Sequence, residues 1–513
     1  MKQQHQFVLS KIVATLGPAS SDVDTIGKLI EAGARVFRVN FSHGTKEDFA
    51  KLLQNVRTAA SRTDRFIGVL GDLSGPKLRV SKVVQGGIAV TSGQSVIFDA
   101  ATTEAVAPKS ADDAVVFGVN RNDFLEDIQP DQRVFIDDGN IRLTCTESSS
   151  IRVTCRVEND GLITSGKGIN LPDTDLSLPS LTEWDHECID FAVEAGFDFL
   201  ALSFVRSAND VRELKSRLRE LGARPAQPRK SSSNDRQYFS AFGSGGHSFI
   251  PVVAKIEKPQ AMDQIAEIVD ESDVIMVARG DLGVEMDVAE VPICQKKIIR
   301  TCHHHGKPSI VATQMLQSMI EAPVPTRAEA TDVANAIFDG ADAVMLSGET
   351  AVGAYPVQTV RTMRRINRNA NDFRCAEKLT FEQPNRPRDS KYRTAALAHG
   401  VKVMASDLDV SLIVMWSELG GGASYMAQNK LPIPIIAFSS DTHALRRMSL
   451  LYGVVPRYMA KPDSTADFIK AVDELLLKNE WVESGEPIVI VSGEPVGTAG
   501  LTNRIRIHYI GEI

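Results

Sequence analysis

The sequence predicts an α/β fold: a (β/α)8 TIM barrel with an inserted small β-barrel lid domain and a C-terminal α/β domain. Three observations predict it. Eight apolar, β-branched runs between residues 8 and 349 alternate with segments of helical pattern, as parallel strands joined by helices do. Each run ends in polar or charged residues at its carboxyl end, where a barrel of this kind builds its site from the βα loops. Between the third run and the next helix, the pattern changes to short alternating strands separated by Gly, Asp and Asn turns.

Residues 8–73 hold VLSKIVATLG, ARVFRVNFSHG and RFIGVLGDL, with helical segments at 22–32 and 46–60 between them, which is βαβαβ. Their polar ends are Thr15, then Arg38, Asn40, Ser42 and His43, then Asp72. After GPKLRV (75–80), runs such as VTSGQSVIF, QRVFIDDGNIRLTC and SIRVTCRVENDG continue to about residue 171 without a long helix. An insertion at that carboxyl end sits over the barrel mouth as a lid.

The α/β pattern resumes at LTEWDHECIDFAVEAG and passes through FDFLALSFV, the 250–257 strand, SDVIMVARG, PSIVATQML and ADAVMLSGE. The carboxyl-end residues are Ser203 and Arg206, Lys255 and Glu257, Arg279 and Asp281, Thr313 and Gln314, then Ser347 and Glu349. Segment 224–248, rich in Ser, Gly and Arg, falls in an αβ loop on the amino-terminal face and reads as a mobile insertion without a part in catalysis. From about residue 385 a separate α/β pattern begins: helix 391–406, strands SLIVMW and PIIAFS around the loop SELGGGAS, helix 441–452, and late strands PIVIVSG and IRIHYIG. The glycine-rich turn suits an anion at a helix N-terminus, a weak signal on its own. The domains so drawn are the barrel at 1–76 and 172–370, the lid at 77–171 and the C-terminal domain at 385–513.

Composition narrows the function classes. With 43% hydrophobic and 24% charged residues, the 513-residue chain reads as soluble and globular. Its length suggests roughly two to four domains. A net charge of −8 without a basic tract argues against nucleic acid or an anionic membrane, so an anionic substrate needs a local positive site. No apolar run approaches the ~18 residues of a membrane span and no signal-peptide pattern opens the chain, which predicts a cytoplasmic protein. The six cysteines form no CxxC pair, as expected of reduced thiols. Cys145 and Cys155, placed to face each other across a hairpin, read as buried small hydrophobes. His303, His304 and His305 cannot share one helix face, so they read as a helix C-terminus before Gly306 rather than a metal site.

The stretch 250–285 carries the chemistry. On an extended strand Lys255 and Glu257 share a face, and Asp281 closes the next strand. Two carboxylates with a lysine beside them suit a hard Mg²⁺ or Mn²⁺ that keeps positions open for phosphate oxygens. A salt-bridged barrel layer would use the same residues, but polar ends on every other strand favour a site. A Schiff-base lysine, as in a class I aldolase, is the rival chemistry; Glu257 would keep Lys255 protonated, against that role. A non-catalytic scaffold would have lost residues from this set, and none is missing.

The motifs KIVATLGPAS, RVNFSHG, SGPKLR, KGINLP, LSFVR, AKIEKP, MVARGDLGVE, ATQMLQSM, PTRAEATDVANA and MLSGETAVGAYP occur in this order over residues 10–356, with weaker matches down to LTNRIRIHYIG. Together they resemble the pyruvate kinase family. The resemblance implies phosphoryl transfer from phosphoenolpyruvate to ADP, giving ATP and enolpyruvate that is then protonated to pyruvate, the last step of glycolysis. It implies a homotetramer without nucleic-acid or membrane partners. Glu257 and Asp281 would ligate Mg²⁺ (or Mn²⁺), Lys255 would stabilise the phosphoryl group in flight, and Thr313 would lie by the substrate. Arg38 and Arg79 would hold phosphates, Gly280 and Asp281 would offer backbone N–H groups to the substrate carboxylate, and Asn40, His43 and Arg79 would lie toward the nucleotide. The residue chemistry agrees, because a loose phosphoryl-transfer transition state is stabilised mainly by positioned cations. Neither a P-loop nor a GxGxxG appears.

Two departures from the family pattern carry expectations. The family often binds K⁺ near Asn40, Ser42, Asp72 and the next residue, with Thr there and Glu four residues later; here these are Leu73 and Lys77. The Lys77 ammonium is expected to take the place of K⁺, so that potassium is not required. The family's effector loop, T-x-S-G-R/K-T/S-A, corresponds to SELGGGA at 417–423, with Leu419, Gly421 and Gly422 replacing phosphate-contacting types. Activation by a sugar bisphosphate is therefore not expected.

Overall fold

In a computed structural model, the structure describes residues 7–107, 114–224, 249–377, 379, 381, 384, 393–499 and 501–512. The expected insertion at 224–248 lies outside them, apart from Arg224. The eight predicted strand runs become Lys11–Thr15, Val36–Asn40, Gly68–Asp72, Phe199–Leu202, Val252–Ile256, Val274–Ala278, Ser309–Ala312 and Ala343–Leu346, which close into one parallel barrel in chain order. Closure comes from the pairing of Lys11–Ala14 with Ala343–Leu346. Strands covered on both faces need near-continuous apolar sequence, and every residue of these strands is buried except Arg38 and Asn40 on the second. The helices start where the sequence supplies caps: Asp22 before Val23–Ala32, and capping boxes at Thr45/Asp48, Thr182/Asp185 and Thr326/Glu329.

At the amino-terminal end, three aspartates stand just before strands four, six and eight. Asp198, Asp273 and Asp342 each accept a backbone N–H from a neighbouring strand, Val69 at 2.8 Å, Val252 at 2.8 Å and Ser309 at 2.9 Å. Each is matched by cations: Arg57 and Arg446, Arg224 and Lys215, and Lys430. Arg446 and Lys430 come from the C-terminal domain, whose apolar residues join the barrel interior in one cluster containing Val13, Leu70, Val253, Leu445, Met448 and Leu451. The barrel floor is thus plugged by the second domain.

Among the described residues, the segment after the third strand forms a seven-stranded sheet around its own core, including Phe98, Phe117, Phe124, Ile136 and Leu143. Its entry strand Leu78–Arg79 pairs with its exit strand Gly168–Asn170, so both connections to the barrel form one stem. Cys145 and Cys155 are direct partners across the Ile141–Ser149 and Arg152–Val157 strands, both buried and free.

The C-terminal sheet has the order Val454–Tyr458, Ile435–Ser439, Ile413–Trp416, Pro487–Ser492 and Arg504–Tyr509, with the last strand antiparallel. The sequence reading passes over Val454–Tyr458 and the helix Thr465–Lys478. Pro456 interrupts the first of these, and the strand tolerates it at a sheet edge. The helix expected at 441–452 spans only Thr442–Met448, because the Ser449 hydroxyl bonds the Arg446 carbonyl at 2.6 Å and the chain turns. The three histidines end the helix Val291–His304, with Gly306 at φ 64 beyond it.

Burial alone would raise the Asp273 carboxyl, but Arg224 and Lys215 outweigh it and hold it below the usual carboxylate range. A depressed pKa contributes stability that is present above the unfolded value of about 4 and is lost as pH falls. Replacing Asp273 by Asn takes the carboxylate from Arg224 and leaves Lys215 with Glu271, and is expected to cost about 3 kcal/mol near neutral pH, the gap to wild type narrowing in acid. Urea melts at neutral pH and below pH 4 check both the size and the sign.

Candidate active site

The mouth of the barrel is organised by one cation. Lys255 lies in the apolar Val252–Ile256 strand, and its buried ammonium takes partners from strands on one side of it. It donates to Ser203 Oγ at 2.7 Å and lies 3.3 Å from Asp72 Oδ1 and 2.9 Å from Glu257 Oε1. The Ser203 hydroxyl in turn donates to the Leu73 carbonyl at 2.7 Å. Asp72 Oδ2 meanwhile accepts from Arg38 Nε and Nη2, both at 2.6 Å. Burial alone would lower the Lys255 pKa, but Asp72 and Glu257 outweigh it and hold the amine above the ordinary lysine range. Burial would raise Asp72, and Lys255 with Arg38 reverses this, keeping it ionised.

Glu257 stands one residue beyond the strand end, where its Oε2 accepts the Phe204 N–H at 2.6 Å. Phe204 reaches it from the left-handed region, φ 54. Burial pushes the Glu257 carboxyl up to about 7, with Asp281 adding to the rise and Lys255 opposing it. Asp281 is in the first turn of the Arg279–Glu285 helix, which begins directly after the sixth strand. Among the described residues no cluster of three or more His, Cys, Asp or Glu forms a metal cage by itself. A pair of carboxylates whose repulsion is relieved by positive charge fits a hard divalent ion that completes its shell with substrate oxygens and water.

Thr313 follows strand seven with φ 70, a conformation a β-branched residue adopts only under constraint. The constraint is visible: its Oγ1 accepts the Gly280 N–H at 2.6 Å and donates to the Ala312 carbonyl at 2.6 Å. Arg279 Nη2 holds the Thr313 carbonyl at 2.8 Å and is itself anchored on Asp332 at 2.7 Å. Gly280, Thr313 and Asp281 therefore form one rigid corner of the mouth.

Other expected residues stand apart from this network. Arg79 is on the lid stem, its Nη1 on the Gly166 carbonyl at 2.9 Å. Asn40 Oδ1 accepts the Ser42 N–H at 3.1 Å, and Ser42 and His43 are exposed. The Lys77 ammonium lies 4.0 Å from Asp281 Oδ1, on the carboxylate side of the mouth. Two strand-end residues serve the scaffold: buried Glu349 accepts the Leu316 and Ser347 N–H groups, and Arg206 reaches back to the Leu176 and Leu178 carbonyls. Sequence reasoning gave Ser203 no role and Asp72 only a monovalent-ion role. The polar ends of strands three and four were the signal, but which groups they face depends on closure of the barrel.

Fold and mouth together define a (β/α)8-barrel enzyme whose site pairs buried cations with carboxylates, suited to a polyanionic substrate. The family described as pyruvate kinase, barrel domain, matches residues 8–227 and 230–360, and pyruvate kinase, alpha/beta domain, matches residues 395–508. The pyruvate kinase of Mycobacterium tuberculosis (strain ATCC 25618 / H37Rv) is 38% identical over 503 residues, 98% of each chain. That of Sporosarcina psychrophila is 37% identical over 509 residues, covering 98% of this chain and 81% of that one. That of Methylorubrum extorquens is 36% identical over 501 residues, 98% of this chain and 97% of that one. The chain belongs to the pyruvate kinase family, and it is a phosphotransferase rather than an aldolase.

Because Ser203 orients the Lys255 ammonium, Ser203→Ala is expected to lower kcat about tenfold, roughly 1.4 kcal/mol, with substrate KM changed less than threefold. Steady-state kinetics on the folded variant check the split.

Proposed function

We propose that this chain transfers the phosphoryl group of phosphoenolpyruvate to ADP, with Lys255 as the cation that meets the group in flight. The observation that carries the proposal is the buried Lys255 ammonium, kept protonated by Asp72 and Glu257 at the carboxyl end of the barrel. In transfer, the bond from the enol oxygen to phosphorus breaks as the ADP oxygen bonds to phosphorus, and charge spreads over the phosphoryl oxygens. A fixed ammonium in a site of low dielectric stabilises that charge without reorganising. Arg38, oriented by Asp72, supplies a second positive group, and Arg79 on the lid stem a third on the nucleotide side with Asn40 and His43. The substrate carboxylate would meet this corner at the Asp281 N–H, because the Gly280 N–H expected to bind it is donated to Thr313 Oγ1.

Glu257 and Asp281 are the groups that would hold Mg²⁺ or Mn²⁺; the bound ion would supply charge neutralisation and a template for phosphate oxygens. Potassium is not part of this reading. The atoms the family devotes to it are engaged with this chain's own groups, Asp72 with Arg38 and Lys255, and the Leu73 carbonyl with Ser203; Lys77, expected to take the ion's place, stands instead by Asp281, 4.0 Å from its Oδ1. Sugar-bisphosphate activation is also left out: the Ser417 hydroxyl accepts the Ala423 N–H at 3.1 Å, and the Glu418 carboxylate occupies the loop beside Ser440. Family membership supports a homotetramer working in the cytoplasm, with residues 77–171 closing over the mouth as a lid. No helix among the described residues is long and apolar enough to cross a membrane.

An ADP-dependent pyruvate assay tests the reading. Lys255→Met is expected to bind phosphoenolpyruvate yet lose at least about 10³ in kcat; a variant within tenfold of wild type would remove Lys255 from the chemistry. In sodium-only buffer the wild-type rate is expected to stay above about a tenth of that with potassium, and a lower rate would return K⁺ to the site.

A further inference from the structure

A second buried polar cluster lies behind the reacting groups. Glu285 ends the Arg279–Glu285 helix one turn after Asp281, and residues four apart share a helix face. Its Oε1 accepts two hydrogen bonds, from Lys258 Nζ at 2.6 Å and from Asn170 Nδ2 at 2.8 Å. Lys258 is the residue after Glu257. Asn170 ends the exit strand of the lid, pairing with Phe135 of the lid sheet and lying in the stem strand that also pairs with Leu78–Arg79. All three side chains are buried, Glu285 to 2%, Asn170 to 5% and Lys258 to 8% exposure. Around them is a cleft of about 470 Å³, counting the open space at its mouth, walled by Leu78, Ile169, Leu171, Leu178 and Phe204. In such apolar surroundings a carboxylate and an ammonium gain much from each other and lose much if separated, which gives the cluster a narrow range of geometry.

We propose that Glu285 is a positioning residue: with Lys258 and Asn170 it latches the lid stem to the backbone segments that carry Glu257 and Asp281, so that divalent-ion affinity depends on a lid residue. The proposal rests on the reading that Glu257 and Asp281 hold the ion. One carboxylate oxygen joins the lid stem to two neighbouring segments of the barrel mouth, the end of strand five and the helix after strand six. Displacing the stem pulls on Glu285, and through its helix and Lys258 on both carboxylates. Arg206 secures the neighbouring return segment through the Leu178 carbonyl at 2.6 Å.

The test is Mn²⁺ binding to the intact enzyme without substrates, followed by electron paramagnetic resonance, on wild type, Asn170→Ala, Glu285→Ala, Glu285→Gln and Glu257→Gln. Groups that orient metal ligands from outside typically change affinity 10–100-fold, so Asn170→Ala and Glu285→Ala are expected to raise Kd about tenfold or more. Glu285→Gln keeps the accepting oxygen without the charge and is expected to fall between them and wild type; it also preserves a readout if the alanine variants fold poorly. A purely structural pair would lower the melting temperature and leave Mn²⁺ affinity unchanged. Wild-type affinity in Asn170→Ala and Glu285→Gln, alongside lost binding in Glu257→Gln, overturns the latch alone. Wild-type affinity in Glu257→Gln overturns the metal assignment and the latch with it.

Discussion

The rest of the structure depends on keeping an ammonium charged inside a closed barrel. An isolated buried cation costs several kcal/mol, and only well-placed opposite charge and hydrogen bonds offset that cost. Lys255 obtains them from Asp72, Glu257 and Ser203, which belong to three successive strands brought side by side by barrel closure. Asp72 in turn fixes Arg38 on the second strand. Two cations and two carboxylates come close to neutrality, and Asp281 stands to one side of them with Lys77 4.0 Å away. On the proposed reading, a hard cation held by Glu257 and Asp281 would leave a surplus of positive charge facing an incoming phosphate.

The two ends of the barrel divide the work. At the amino-terminal end, Asp198, Asp273 and Asp342 bond to neighbouring strands and to cations, some from the C-terminal domain, so charge there serves register and docking. At the carboxyl end, the backbone is held in a geometry that costs stability, as the φ of 70 at Thr313 shows. The apolar cluster shared by barrel interior and C-terminal domain lets the mouth carry that cost.

Much of this was legible in the sequence. The barrel strands are legible as short, mostly apolar runs with polar ends, and the period of two puts Lys255 and Glu257 on one face. The helical segments expected at 22–32 and 46–60 became Val23–Ala32 and Lys46–Ser61. What stayed hidden was set by long-range contact. Nothing local says that Asp72 faces Lys255, that Ser203 bridges it to Leu73, or that Glu285 meets Asn170 across 115 positions. The C-terminal domain was read less fully because its edge strand contains Pro456 and its helix Thr442–Met448 is cut short by Ser449. The part expected of residues 225–248 lies outside the described residues.

The central claim is that Glu257 and Asp281 share one divalent ion with the Lys255 ammonium alongside. Anomalous diffraction from crystals grown with Mn²⁺ and phosphoenolpyruvate tests it most directly. The account predicts one manganese peak about 2.0–2.2 Å from a carboxylate oxygen of each residue, within the octahedral range of such ions, with Lys255 Nζ in contact with the phosphoryl oxygens. A manganese peak bound elsewhere, or Lys255 turned away from the phosphoryl group, would contradict it.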